Sequence, residues 1–184
     1  DALSSRYGIG VGAPELLAYC YALLSASGFT RRFAEQLRTP GPRVPLAADY
    51  ATFSRGVRLG EKALAVHTYR SLTPGRAKLA REIGEGLPTG FGYDAPQACL
   101  WLGDGCLAPV SDDVWAYGVS GYRVVSSWLR RRVRPARGKS PLDAIGLERW
   151  EARLTSELLE LVWLIEHTLD LGCELDALLD EAIG

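Results

Sequence analysis

The spacing of apolar residues changes twice along this chain, and that change limits the fold more than any other feature. Up to about Tyr69, and again from Leu147, apolar residues recur at steps of three and four, as one face of an α-helix requires. Between Phe91 and Val119 the runs are short and the period is two, as in half-buried strands. Helical segments at both ends and strands between them predict an α+β fold. We expect one domain over 1–184. A helical part covers about 14–70, a small antiparallel sheet and a basic helix about 91–139, and C-terminal helices about 141–183.

Pro14 suits a first helical turn, and Leu16, Leu17, Cys20, Leu23 and Leu24 form an apolar face up to a stop at Ser27-Gly28. A shorter helix is expected from Thr30 to Arg38, with Phe33 and Leu37 inward. Three prolines hold Thr39–Ala47 extended, which leaves Arg43 displayed either to a phosphate or simply on a connector. Asp49 caps a helix Tyr50–Tyr69 whose packing face carries Phe53, Val57, Gly60, Leu64 and His67. The stretch Thr73–Gly90 reads as a surface insertion with a short helical pattern at Arg76–Ile83.

Phe91–Tyr93, Cys99–Leu102 and Cys106–Pro109 read as strands, with a tight hairpin turn at Gly103-Asp104-Gly105. Val114–Val119 is their expected neighbour, and Ser120-Gly121 bends the chain into the basic helix. After Ser140-Pro141-Leu142-Asp143, a long amphipathic helix runs from Leu147 to Leu171. Gly172 ends it, and a separate acidic turn follows over Glu174–Ile183.

Charge is distributed unevenly. The net charge of -1 conceals ten acids against two arginines from Glu148 onward, which leaves 19 basic and 12 acidic groups before it. Between Val114 and Leu142 stand seven basic residues and no acid. In a helix beginning near Tyr122, residues Arg123, Ser127, Arg130 and Arg134 share an arc, while Tyr122, Val125, Trp128, Leu129 and Val133 lie opposite. Gly121 and Pro135 bound it. Such a face either contacts nucleic acid or is merely solvated.

The composition, 47% hydrophobic and 23% charged, is that of a globular chain, without a membrane-spanning run or signal peptide. Cysteines 20, 99, 106 and 173 lack metal-type spacing and read as free thiols in a reducing, cytoplasmic setting. His67 reads as a hydrogen-bonded core residue, and His167 has too few neighbours for a zinc site. The glycines of Gly8, Gly10 and Gly12 lack the lysine of a phosphate loop. No nucleophile elbow or carboxylate pair appears, so no catalytic residue, metal or cofactor is expected. The sequence has no methionine, which leads us to expect a domain cut from a longer polypeptide.

Several motifs occur in a recognisable order: Leu17-Ala18-Tyr19, then Arg32-Phe33-Ala34-Glu35-Gln36-Leu37, Pro42-Arg43-Val44-Pro45-Leu46, and Leu59-Gly60 with Leu64 and His67. They are followed by Val114-Trp115 and by Val119-Ser120-Gly121-Tyr122-Arg123-Val124-Val125 leading to Trp128-Leu129. The set resembles the C-terminal specificity, or target-recognition, domain of Type ISP restriction-modification enzymes and related adenine-N6 DNA methyltransferases. Arg130-Arg131-Arg132 stands where relatives often carry Lys-Asp-Arg after the tryptophan.

The resemblance implies a non-catalytic module that recognises double-stranded DNA and follows a methyltransferase domain using S-adenosylmethionine. Arg43, Arg123, Ser127, Arg130, Arg131, Arg134, Arg137 and Lys139 would then meet phosphates. Trp115, Gly121, Tyr122 and Trp128 would be structural. In the alternative, the chain is an interaction module whose acidic C-terminal helix docks on another subunit.

Overall fold

The computed structural model describes residues 2–41, 43–84, 86–133 and 149–184. The architecture mixes helices with a four-stranded antiparallel sheet, and the chain divides into two compact units. One comprises residues 1–71 and 168–184, the other 72–167.

The first unit holds α1 (Ala2–Tyr7), α2 (Ala13–Ser25), α3 (Ser27–Arg32), a 3-10 turn at Gln36–Arg38 and α4 (Tyr50–His67). It also includes the end of α7, a helix covering Ala152–Ile183. As expected, Asp49 caps α4: its carboxylate accepts from the Thr52 amide at 2.9 Å and from the Thr52 hydroxyl at 3.0 Å. These bonds hold that carboxyl below the usual carboxylate range.

The buried face of α2 is Ala18, Tyr19, Ala22 and Leu23, whereas Leu17 and Leu24 are exposed, contrary to the sequence expectation. Close packing explains the difference. A Cβ on Gly60 of α4 would stand 1.8 Å from the Ala18 carbonyl oxygen, so here α2 meets α4 backbone to backbone. One turn earlier, a Cβ on Gly56 would lie 2.5 Å from the Tyr19 ring. Small residues, not leucines, bring the helices this near. Ser27-Gly28 opens α3 instead of ending the helical region, because Asp176 of α7 accepts from the Gly28 amide at 2.8 Å and the Ser27 hydroxyl at 2.7 Å. The shorter helix is therefore displaced toward the N-terminus, and Leu37 is exposed.

The second unit contains β1 (Lys78–Arg81), β2 (Phe91–Asp94), β3 (Cys99–Leu102) and β4 (Gly105–Ala108), in the order β1-β4-β3-β2, all antiparallel. The hairpin at Gly103-Asp104 is as expected. Leu100, Leu102 and Leu107 are buried on one sheet face. The helical pattern at Arg76–Ile83 is corrected to strand β1. A buried carboxylate fixes it: Glu166 of α7 accepts from the amides of Arg76 at 2.7 Å and Ala77 at 3.3 Å, and the Trp163 indole donates to the Ala77 carbonyl at 2.7 Å. Backbone held that way feeds an edge strand rather than a helix.

Val114–Val119 does not join this sheet. Ser111 accepts from the Val114 amide at 3.3 Å and caps α5 (Asp112–Ala116). Next come the two-residue strands β5 (Gly118–Val119) and β6 (Tyr122–Arg123), then α6 (Val124–Arg130). Free thiols at all four cysteines are also corrected, since Cys99 and Cys106 are bonded. They are diagonal neighbours on one face of the β3–β4 hairpin, with Cα atoms 6.1 Å apart. Cys20 and Cys173 are free.

The expected helix starts at Ser140 and Leu147, like Pro135, lie outside the described residues. From Ala152 the helix runs unbroken through Gly172 to Ile183, correcting the expected stop. Burial of Leu175, Leu178 and Leu179 beyond the glycine outweighs the roughly 1 kcal/mol that glycine costs in a helix.

Gly60 and Gly172 therefore predict opposite outcomes for the same substitution. Gly172→Ala, with nothing within 4 Å of its new methyl, should raise stability by up to about 1 kcal/mol through helix propensity. Gly60→Ala should lower it by about 2 kcal/mol or more through overpacking. Urea unfolding midpoints of the two variants compare them directly, and equal shifts would show that α2 and α4 are not in backbone contact.

Candidate nucleic-acid interface

In the first unit the extended Arg43 segment is held by two tyrosines. The buried Tyr19 hydroxyl donates to the Pro45 carbonyl at 3.0 Å and accepts from the Ala47 amide at 2.9 Å. Tyr7 donates to the Ala47 carbonyl at 2.8 Å. Burial, the largest cause, pushes the Tyr19 pKa up to about 12. Val44 is half-buried against the core while Arg43 is exposed. Prolines stiffen the segment and the tyrosines fix its depth, so the guanidinium is presented from a rigid base. Sequence reasoning missed this clamp, although a tyrosine on a helix's packing face is itself the signal: its buried hydroxyl needs partners.

His67 is a satisfied core residue in the same unit. Its Nδ1 lies 2.7 Å from the Tyr21 hydroxyl and its Nε2 3.0 Å from the Thr168 hydroxyl, and burial lowers its pKa. Among the described residues no group of three or more His, Cys, Asp and Glu is placed to hold a metal ion, and no helix is long and apolar enough to cross a membrane.

The basic helix of the second unit is shorter than expected. Tyr122 and Arg123 belong to β6, and α6 begins at Val124. Val125, Ser126, Leu129 and Val133 are buried, which leaves Ser127, Arg130 and Arg131 on the outer side. Tyr122, expected on the packing face, is instead 72% exposed, because the hairpin turn carries it off the helix.

The three consecutive arginines divide by contact. Arg132 stacks over Trp128, 3.8 Å from the ring centroid, donates to the Trp128 carbonyl at 3.3 Å and stands 3.9 Å from the Glu157 carboxylate. Trp128 meets Trp150 edge to face at 6.2 Å. Arg132 is thus committed to packing. Among the described residues no carboxylate is within ion-pairing distance of Arg43, Arg123, Arg130 or Arg131. Trp115 stacks on Tyr93 with centroids 5.5 Å apart. Arg134, Arg137 and Lys139 lie outside the described residues.

The tyrosine clamp has a measurable consequence. Tyr19→Phe leaves the Pro45 carbonyl and Ala47 amide without their partner and should cost about 1–3 kcal/mol. Exchange of the Ala47 amide should quicken more than that of amides in the middle of α4. The raised Tyr19 pKa has its own sign: the folded state keeps the proton that the unfolded chain releases near pH 10, so this contribution is present below pH 10 and lost as pH rises toward about 12. The alkaline limb of the stability profile should therefore be shallower in Tyr19→Phe.

No curated protein matches the chain. Among solved structures it is similar to a chain of the DrdV–DNA complex determined by cryo-electron microscopy, with TM-score 0.71 and 18% identity, covering 95% of this chain and 19% of that one. It also resembles a nuclease-deletion mutant of the Type ISP restriction-modification enzyme LlaGI in complex with a DNA substrate mimic (TM-score 0.65, 15% identity, 89% and 14% covered). A third similarity is to the ATP-dependent Type ISP restriction-modification enzyme LlaBIII bound to DNA (TM-score 0.59, 11% identity, 94% and 11% covered). The present chain thus spans less than a fifth of each, and these likenesses establish a shared fold. The model of the Type ISP C-terminal specificity domain matches residues 1–161. The chain belongs to the Type ISP C-terminal specificity domain family.

Proposed function

We propose that this chain is the double-stranded DNA recognition module of a restriction-modification methyltransferase. The match to a specificity domain over residues 1–161 carries this reading, and three similar chains were solved on DNA or a DNA mimic. Its physical support is cationic. Arg43 on the clamped extended segment, and Arg123, Arg130 and Arg131 around α6, are exposed without acidic partners among the described residues. Uncompensated guanidinium groups favour phosphate oxygens and fix a protein's register on the duplex, while base edges supply sequence information. Ser127 on the same side of α6 adds a hydroxyl donor, and Arg134, Arg137 and Lys139 extend the basic run in sequence.

The chain binds and does not itself catalyse. Its partner is the methyltransferase domain of a larger cytoplasmic polypeptide, which transfers a methyl group from S-adenosylmethionine to adenine N6. Within that enzyme the whole chain acts as one target-recognition domain.

Replacing Arg123, Arg130 and Arg131 with glutamine tests the reading, since it removes exposed charge and leaves the buried side of α6 intact. Affinity for every duplex should fall to a similar degree, and the slope of log affinity against log salt should flatten by roughly 0.9 for each phosphate no longer neutralised. A folded variant with the wild-type slope would assign these arginines to solvent and favour a protein-docking module.

A further inference from the structure

The hairpin before α6 has a feature that phosphate binding does not use. Val119 and Tyr122 are register partners, and Gly118 pairs with Arg123. The two residues between them, Ser120 (φ 52°) and Gly121 (φ 83°), both have positive φ, as a two-residue turn matched to strand twist requires. The Val124 amide donates to the Tyr117 carbonyl at 3.0 Å, closing the hairpin at its base, and buried Val125 and Leu129 anchor the helix that follows. The ribbon is thus pre-formed. Register partners place their side chains on one face, yet Val119 is 54% and Tyr122 72% exposed. No ring contact or hydrogen bond engages the Tyr122 side chain among the described residues.

A single exposed apolar residue needs no explanation. Two of them, paired on a turn-closed tip whose strand ends at exposed Arg123, with exposed Arg130 and Arg131 at the far end of the helix that follows, put an apolar point on a cationic segment that has no acidic partner for these arginines among the described residues. Charge complementarity selects a polyanion as occupant, and a two-stranded ribbon is narrow enough to enter a duplex groove. Building on the DNA-recognition reading above, we propose that the β5–β6 tip enters a groove of double-stranded DNA. Val119 and Tyr122 there supply an apolar, salt-insensitive contact while the neighbouring arginines hold phosphates.

The test is equilibrium binding of the 184-residue chain to a labelled mixed-sequence duplex across a salt series, with wild type, Tyr122→Ala, Tyr122→Phe, Val119→Ser and the triple arginine variant. Tyr122→Ala should weaken binding about ten-fold at every salt concentration, because less apolar area is buried while the phosphates held, and hence the slope, stay the same. Tyr122→Phe should bind like wild type, and Val119→Ser should weaken binding less than Tyr122→Ala. Thermal unfolding serves as the folding control, and substitution of so exposed a residue should leave it unchanged. Wild-type affinity in Tyr122→Ala, alongside a flattened slope in the arginine variant, overturns the groove contact and leaves DNA recognition standing; the tip would then face a protein. A flattened slope in Tyr122→Ala itself also overturns the proposal, since it would place the tyrosine's effect on the phosphate contacts. Wild-type chain that fails to bind duplex even at low salt removes both.

Discussion

A backbone contact organises the first unit: α2 and α4 approach until a glycine hydrogen on one faces a carbonyl on the other. At that separation no side chain fits at Gly60, and the Tyr19 ring must lie flat over Gly56, stacked with Phe53 at 4.8 Å. The ring's position sets that of its hydroxyl, and the hydroxyl sets the depth of the Pro45–Ala47 backbone. Arg43 is thus placed by a chain of contacts that begins two helices away. Its presentation depends on helix packing rather than on local loop preferences.

The second unit solves a similar problem with charge. Glu166 is 2% exposed, and an acid so enclosed is tolerated because two backbone amides donate to it and the Arg76 guanidinium stands 3.9 Å away. A Cβ on Gly75 would come within 2.0 Å of a Glu166 oxygen, so the glycine lets the loop close over the carboxylate. The edge strand of the sheet starts from that contact. In both units a buried polar group converts helix packing into the path of an extended segment.

These contacts also explain what can be read from sequence. The Asp49 cap and the hairpin at Gly103-Asp104 follow from interactions spanning only a few residues, and both are legible. Strand β1 is not, because Arg76–Ile83 has acceptable helical spacing and is held by Glu166, some ninety residues away. α5 is hidden since VWAYGV favours strand by composition, and the decisive Ser111 hydroxyl lies three residues upstream of it. For the candidate site, charge density singles out the arginines. Their partners are concealed: Arg130, Arg131 and Arg132 look alike in sequence, and only the fold lays Arg132 on Trp128. Tyr122 falls on the inward face only if the helix begins before Val124, and the hairpin turn delays that start.

The two-residue turn at Ser120-Gly121 bears on how this domain tolerates change in length. Side chains alternate across a ribbon, so adding or deleting one residue at the turn would shift the pairing and present one of Val119 and Tyr122 on the opposite face. Positive φ at both turn positions narrows the residues admitted there to glycine and a few small polar ones. The stretch between Ile83 and Gly90, which borders an open cleft of about 530 Å³ beside Trp101, is tied at its ends, where the Gly90 carbonyl accepts from the Gly103 amide at 2.9 Å and Ile83 packs against Gly105, and belongs to no strand among its described residues. Sequence drift among related domains should therefore alter the length of that border freely while the turn before α6 keeps its residue count.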